Sequence, residues 1–273
     1  MKTSAKIDPM KKIVVKIGSS SLTNGTKQLC KPHMVELVRQ LCQLHADGHQ
    51  VVVVSSGAIA AGRESLSVST GTTCLPTKQM MASIGQVRLM HTWSELFNIY
   101  GVMIGQILLT REDISDAKRA GNAKNTFETL LAHRVVPIVN ENDTVATEEI
   151  RFGDNDTLSA LVAQLVEADL LVMLTDQEGL YTADPRFHEG AKLIESIDKI
   201  DDLVKACAGD SSNPHGIGTG GMATKVEAAK IATQTGTVVT IASAKEANVL
   251  LNLLAGKKIG TTFQTKSCTS PNP

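Results

Sequence analysis

Two lysines carry the first chemical signal in this 273-residue chain. Lys16 sits in the run KIVVKI (12–17), among Ile13, Val14, Val15 and Ile17, and is followed by Gly18-Ser19-Ser20-Ser21. An ammonium near the end of an apolar strand needs a counter-charge. A structural carboxylate could supply it. So could a phosphate, which closely spaced backbone N–H groups beside a lysine suit well. Lys225 closes the stretch Thr219-Gly220-Gly221-Met222-Ala223-Thr224-Lys225, a glycine-rich loop opening a helix. Helix N-terminal N–H groups and the helix dipole favour an anion there. The plainer alternative is a flexible loop with an exposed helical lysine. Two rows of acids and amides complete the set: Asn140-Glu141-Asn142-Asp143, and Asp154-Asn155-Asp156 after Gly153. One side chain can cap a helix, which leaves others to grip an amino acid's ammonium group or to position lysines and a metal. Thr175-Asp176 ends another apolar run where a nucleotide's ribose or base could rest, though Asp176 reads equally well as a turn residue.

Several chemistries are excluded or weakened. No G-x-x-x-x-G-K-[ST] occurs, so a Walker-type phosphate loop is absent. Gly216, Gly218 and Gly221 satisfy G-x-G-x-x-G literally, but the residues before them (209–215) read as a loop, and the dinucleotide fingerprint needs a strand there. The seven histidines form no catalytic constellation, and the five cysteines have neither zinc-ligand spacing nor a disulfide pattern. No metal-ligating set can be named. A net charge of −1 with only 3% aromatic residues argues against nucleic acid. Apolar runs reach only about five residues against the ~18 of a membrane span, and the N-terminus lacks a signal peptide's apolar stretch. The expectation is a soluble, cytoplasmic protein with no membrane partner.

Short β-branched runs alternate with helical patterns and must hold these residues in place. Strands are expected at 12–17, 50–55, 103–109, 135–140, 170–174 and 237–242. Helices are expected from Pro32 to about Ala46, from Gly57 onward, and from Pro76 through Met80, Ile84, Val87 and Met90 to about Tyr100. Others are expected at 157–166, 200–208 and 221–234, and 145–152 reads as a small hairpin. This order predicts an α/β fold: a three-layer αβα sandwich around a mainly parallel sheet, in one domain. The expected organisation is an N-terminal extension (1–10), a single domain (11–264) and a disordered tail (265–273). In open parallel sheets ligands lie outside the carboxyl ends of the strands. The segments around Lys16, Ser55-Ser56-Gly57, Asn140, Asn155 and Thr175 lie at such ends or on loops that could reach them.

Taken in order, the motifs VVKIGSSSLT (14–23), VVSSGAIAAGRE (53–64), VPIVNENDTVAT (136–147), FGDNDTLSALVA (152–163), LTDQEGLYTADPR (174–186) and GIGTGGMATK (216–225) resemble the amino acid kinase family, and within it the glutamate 5-kinases. The likeness runs from about Met10 to Phe263. It implies transfer of the ATP γ-phosphoryl group to the side-chain carboxylate of L-glutamate, the first step of proline synthesis, with Mg²⁺ accompanying ATP. By motif, Lys16, Lys225 and Asp156 would be catalytic, the lysines on the phosphates and Asp156 orienting them. Lys16, Gly18, Ser19, Thr175, Asp176 and the loop from Thr219 through Gly220, Gly221, Met222, Ala223 and Thr224 to Lys225 would bind ATP. Ser56, Gly57, Asp143 and Asn155 would bind glutamate. Feedback inhibition by proline and a homo-oligomer are further implications. The RNA-binding-type PUA domain of many relatives is expected to be absent. The same fold with acetylglutamate, aspartate, carbamate or a nucleoside monophosphate as acceptor is the nearest rival, and Ser56, Asp143 and Asn155 would discriminate.

Overall fold

Side-chain alternation along the first strand sets the two faces of the molecule. The computed structural model describes residues 10–26, 28–66, 74–145, 155–185, 187–209 and 221–265. The chain runs through β1 (Lys12–Ile17), α1 (Ser19–Thr23), α2 (Lys31–Ala46), β2 (Gln50–Ser55), α3 (Ala58–Leu66) and α4 (Leu75–Asn98). It continues through β3 (Ile104–Leu109), α5 (Arg111–Ser115), α6 (Ala117–Ala132), β4 (Val136–Glu141), α7 (Asn155–Leu165) and β5 (Leu170–Thr175). After β6 (Ser196–Ile197) come α8 (Asp202–Ala208), α9 (Met222–Thr233), β7 (Val238–Ser243), α10 (Val249–Leu254) and β8 (Thr261–Phe263). In β1, Ile13, Val15 and Ile17 join one core with Leu22, Met34 and Trp93, which come from α1, α2 and α4. Val14 joins the other, with Phe127, Leu158 and Val226 of α6, α7 and α9. A period of two puts Lys16 on the Val14 side, beneath α7 and α9.

The strands form one sheet in the order β3-β4-β2-β1-β5-β7-β8-β6. Every pairing is parallel except β7 with β8. Helices cover both faces, which is why the central strands read VVVV and LLVML without alternation. The three-layer α/β expectation holds. β1 is also where the strand order reverses. The chain first fills one flank, laying β3 at the edge before β4 enters between it and β2, then crosses back to add β5 on the other flank. The crevice at the carboxyl end of such a switch point is where ligands gather.

The six expected strands lie within a residue or so of expectation, the short β6 and β8 are additional to them, and helix details differ in instructive ways. Asn155 and Asp156 do not precede a helix starting near Thr157. They form its first turn, and both are buried. The helix expected from 200 begins at Asp202, where the Asp201 side chain accepts from the Val204 N–H. The larger correction concerns α4. Met80, Ile84 and Val87, expected along its apolar face, are 45%, 38% and 73% exposed. The buried stripe is Met81, Ala82, Gly85, Leu89, Trp93 and Leu96. The reason is the crossing with α3. A Cβ on Gly85 would stand 1.8 Å from the Ala58 carbonyl oxygen, and one on Gly62 would stand 1.8 Å from that of Met81. The two backbones touch, so a residue without a side chain marks the inward face. The hairpin expected at 145–152 lies outside the described residues beyond Val145, as do 1–9 and 266–273. No described helix is long and apolar enough to cross a membrane.

Candidate active site

Three charged groups meet over the carboxyl end of β1. Lys16 Nζ lies 2.5 Å from Asp156 Oδ1, and Lys225 Nζ lies 3.0 Å from Asp156 Oδ2. Asp156 is wholly buried, and the lysines are 3% and 4% exposed. Each comes from a different element: Lys16 from β1, Asp156 from the first turn of α7, and Lys225 from one turn into α9. Burial pushes the Asp156 carboxyl up, but the Lys16 and Lys225 ammoniums outweigh it and hold the group down to about 2. Two ammoniums against one carboxylate leave a local surplus of one positive charge in a site with little water to screen it. Thr224 Oγ1 stands 2.9 Å from Asp156 Oδ2 and 2.7 Å from the Gly221 carbonyl oxygen, so its single proton can serve either. Gly221 caps α9 in extended conformation (φ −64°, ψ 168°) without a side-chain cap, so no cap side chain occupies the first N–H groups.

The other expected nucleotide residues that are described lie at the carboxyl ends of β1 and β5 or at the start of α9. Gly18 is buried at the junction of β1 and α1, and a Cβ there would lie 3.5 Å from Lys16 Nζ. Ser19 and Asp176 are exposed, and Thr175 is buried with its hydroxyl donating to Asp176 Oδ1 at 3.0 Å. Met222, Ala223 and Thr224 open α9 half-buried, while Thr219 and Gly220 lie outside the described residues. Lys16, Asp156, Thr224 and Lys225 are therefore brought into direct contact.

A second, neutral cluster lies beside the first, on the β2–β4 side. The β2–β4 ladder pairs Val53 with Ile138 and Val54 with Val139, and its register stops there. Beyond it Asn155 Nδ2 donates to Ser56 Oγ and to Asn140 Oδ1, both at 2.9 Å. Asn155 Oδ1 is buried and meets no hydrogen-bond donor among the described residues. Asp143 follows on the same loop, and burial raises its carboxyl above the ordinary carboxylate range. Gly57 takes φ +103°, a left-handed conformation that turns the chain from β2 into α3 beside Ser56. Below it, the Trp93 indole donates to Ser55 Oγ at 3.0 Å. Sequence reasoning named Asn140 only as part of an acidic row and did not reach Trp93 or Gln86, whose carboxamide accepts from Asn140. Helical periodicity on α4 could have found neither, because the stripe it favoured was the exposed one.

The donor set bears on a metal. Among the described residues no three histidine, cysteine, aspartate or glutamate side chains converge, and both oxygens of Asp156 are committed to lysines. The described residues do not make a resident cation site of their own.

The amino acid kinase family model matches residues 11–243. The chain belongs to the amino acid kinase family. Within that family it is 51% identical over 253 residues to a protein of Yersinia pestis (strain Pestoides F) named glutamate 5-kinase, covering 93% of this chain and 68% of that one. The glutamate 5-kinase of Yersinia enterocolitica is also 51% identical, over 92% of this chain and 68% of its own. Among solved structures, UMP kinase from Ureaplasma parvum superposes with a TM-score of 0.62 at 14% identity, covering 94% of this chain and all of that one. Carbamate kinase from Giardia lamblia, bound to AMP-PNP, gives 0.65 at 15% identity over 94% of this chain and 99% of its own. These two share the amino acid kinase fold with this chain.

Proposed function

We infer that this protein transfers the γ-phosphoryl group of ATP to the side-chain carboxylate of L-glutamate, forming L-glutamyl 5-phosphate, the first step of proline biosynthesis. The observation that carries the chemistry is the buried Lys16–Asp156–Lys225 triad at the sheet's switch point. The acceptor comes from the 51% identity to glutamate 5-kinases, and the amide cluster beside the triad suits it.

The reaction needs little from the protein in the way of proton transfer. The glutamate side chain, with an ordinary pKa of about 4.3, is already an ionised nucleophile at neutral pH. One of its oxygens forms a bond to the γ-phosphorus, the bond from that phosphorus to the β–γ bridging oxygen breaks, and ADP departs with the electron pair. No histidine is required. The difficulty is electrostatic: an anion must approach a polyanion. Positioning and charge stabilisation supply nearly all of the catalysis in such transfers. Lys16 and Lys225 meet that need, held in advance by Asp156 so that no reorganisation is required when charge shifts. The N–H groups at the start of α9 and around Gly18 and Ser19 cradle the phosphates, while Thr175 and Asp176 border the nucleoside. Ser56, Asp143 and Asn155, beside the Gly57 turn, hold glutamate. Mg²⁺, carried on the phosphate oxygens of ATP, would neutralise further charge there.

The same reading carries inhibition by proline, self-association and a cytoplasmic location, all resting on kinship. The test is purified protein with MgATP and L-glutamate, trapping the acyl phosphate with hydroxylamine. Hydroxamate from glutamate, but not from N-acetylglutamate or aspartate, is the expected result, and it should fall when proline is added. Product from a different acceptor alone would overturn the substrate assignment.

A further inference from the structure

Asn155 presents a buried acceptor that no donor among the described residues meets, and its direction is not arbitrary. The backbone N–H of Glu141 lies 2.9 Å from Asn140 Oδ1. A backbone N–H can only donate, so that Asn140 atom is the oxygen, and the Asn155 atom facing it must be the amide nitrogen. Asn140, 3% exposed, then donates from Nδ2 to Gln86 Oε1 at 2.9 Å. Gln86 in turn donates from Nε2 to Gln106 Oε1 at 3.2 Å. Three amides, on α7, β4 and α4, thus all point their N–H groups away from Asn155 Oδ1. The chain passes over the carboxyl edge of the sheet from one helical layer to the other. Its inner end is the orphaned Asn155 Oδ1.

Glutamate at neutral pH has two carboxylates, which only accept, and one ammonium, which only donates. An unmet acceptor in its pocket can therefore be satisfied by the ammonium alone. We propose that Gln86 on α4 is a positioning residue for the amino-acid acceptor: the Glu141 N–H sets the polarity of the Asn140 amide, and Gln86, by accepting from Asn140 Nδ2, holds that amide in place and so keeps Asn155 Oδ1 turned to the substrate's ammonium. The proposal rests on glutamate being the acceptor. Gln86 itself touches no reacting atom. Without its oxygen, the buried Asn140 Nδ2 loses its partner, and the Asn140 acceptor that holds Asn155, alongside Ser56 Oγ and the Ser55 carbonyl, is less firmly fixed.

The test compares Gln86→Met, which keeps length but removes the acceptor, with Gln86→Glu, which keeps an acceptor at the same place. In folded protein, checked by circular dichroism melting, Gln86→Met raises the glutamate KM about tenfold, as for loss of a hydrogen bond to a buried group. Its kcat and its MgATP KM stay within about twofold, and Gln86→Glu restores most of the glutamate KM. Glutarate, with the same carboxylates and no ammonium, is the polarity control: as a competitive inhibitor its Ki is unmoved by Gln86→Met. Equal losses for glutamate and glutarate, an unchanged glutamate KM, or no rescue by Gln86→Glu would each overturn the positioning role while leaving the kinase assignment intact. A wild-type protein that makes no glutamate hydroxamate would overturn both.

Discussion

The lysine cluster and the amide cluster lie side by side at one end of one sheet, yet they are built on different physics. In the first, every charged atom has an opposite charge within 3.0 Å: Lys16 and Lys225 close on the two oxygens of Asp156. In the second, Ser56, Asn155, Asn140 and Gln86 are neutral, joined by hydrogen bonds of 2.9 Å, and one buried acceptor is left over. The charged cluster pairs its carboxylate without a ligand and keeps one positive charge over, whereas the amide cluster leaves one buried acceptor unmet among the described residues. A polyanion needs positive potential, which acts over distance and tolerates variation in pose. A small amino acid needs donors and acceptors of the right sense at fixed points, because a carboxamide turned over offers a donor where an acceptor is required. The first should therefore respond to loss of charge with large effects on folding and turnover. The second should respond with smaller effects confined to glutamate.

The largest expected effect breaks the charged cluster at its centre. Asp156→Asn leaves two buried ammoniums without their shared carboxylate, and loss of one partner from a buried pair costs about 3–5 kcal/mol. Chemical denaturation at neutral pH checks it. The sign follows from the depressed pKa. A carboxyl held at about 2 against an ordinary 3.8 adds stability above the ordinary value and loses it as pH falls through about 2. At pH 7 the variant should be clearly less stable than wild type, and the gap should narrow below about pH 4. Next comes turnover. Lys225→Ala in folded protein should lower kcat roughly 100-fold or more, as for loss of one preorganised donor to a transition state. Steady-state hydroxamate formation measures it, and a near-normal kcat would remove Lys225 from the chemistry.

The two clusters also differed in how far the sequence exposed them. Lys16 was legible because a lysine in KIVVKI contradicts its apolar surroundings, and the Thr219–Lys225 loop because glycines before a helix have a known use. Asp156 was visible as one of several acids, but its place between the lysines needed α7 and α9 to be packed together, 69 residues apart. The amide chain was less accessible still. Its contacts join residues 15, 54 and 99 positions apart, and its sense is set by one backbone N–H. Nothing in residue type or spacing encodes which way a carboxamide points. The α4 face was misread for a related reason. Gly85 carries no hydrophobic signal, yet the α3 backbone rests against it and thereby turns Gln86 toward the amide chain and Met80, Ile84 and Val87 to the surface.

The smallest expected effect sharpens the comparison by setting one carboxylate against the other. Asp143 is half-buried, and burial raises its carboxyl, opposite to the direction at Asp156. A raised carboxyl pKa costs stability once pH exceeds the ordinary value, because the folded state resists losing that proton. Asp143→Asn should thus leave the protein as stable as wild type or slightly more so at neutral pH, where Asp156→Asn loses stability. The function of the two groups runs the other way around. An ionised Asp143 can take the substrate's ammonium, and a protonated one cannot, so glutamate binding expels any proton held there. In wild type the glutamate KM should rise as pH falls toward the raised pKa, beginning at a higher pH than an ordinary carboxylate would give. Glutamate's own side chain also titrates near about 4.3, but it does so equally in wild type and Asp143→Asn, and the difference between the two profiles isolates the protein group. The variant should have a higher glutamate KM throughout and lack the early rise, with its MgATP KM unchanged. Parallel profiles would take Asp143 out of the acceptor site and leave Asn155 and Ser56 to hold the amino acid.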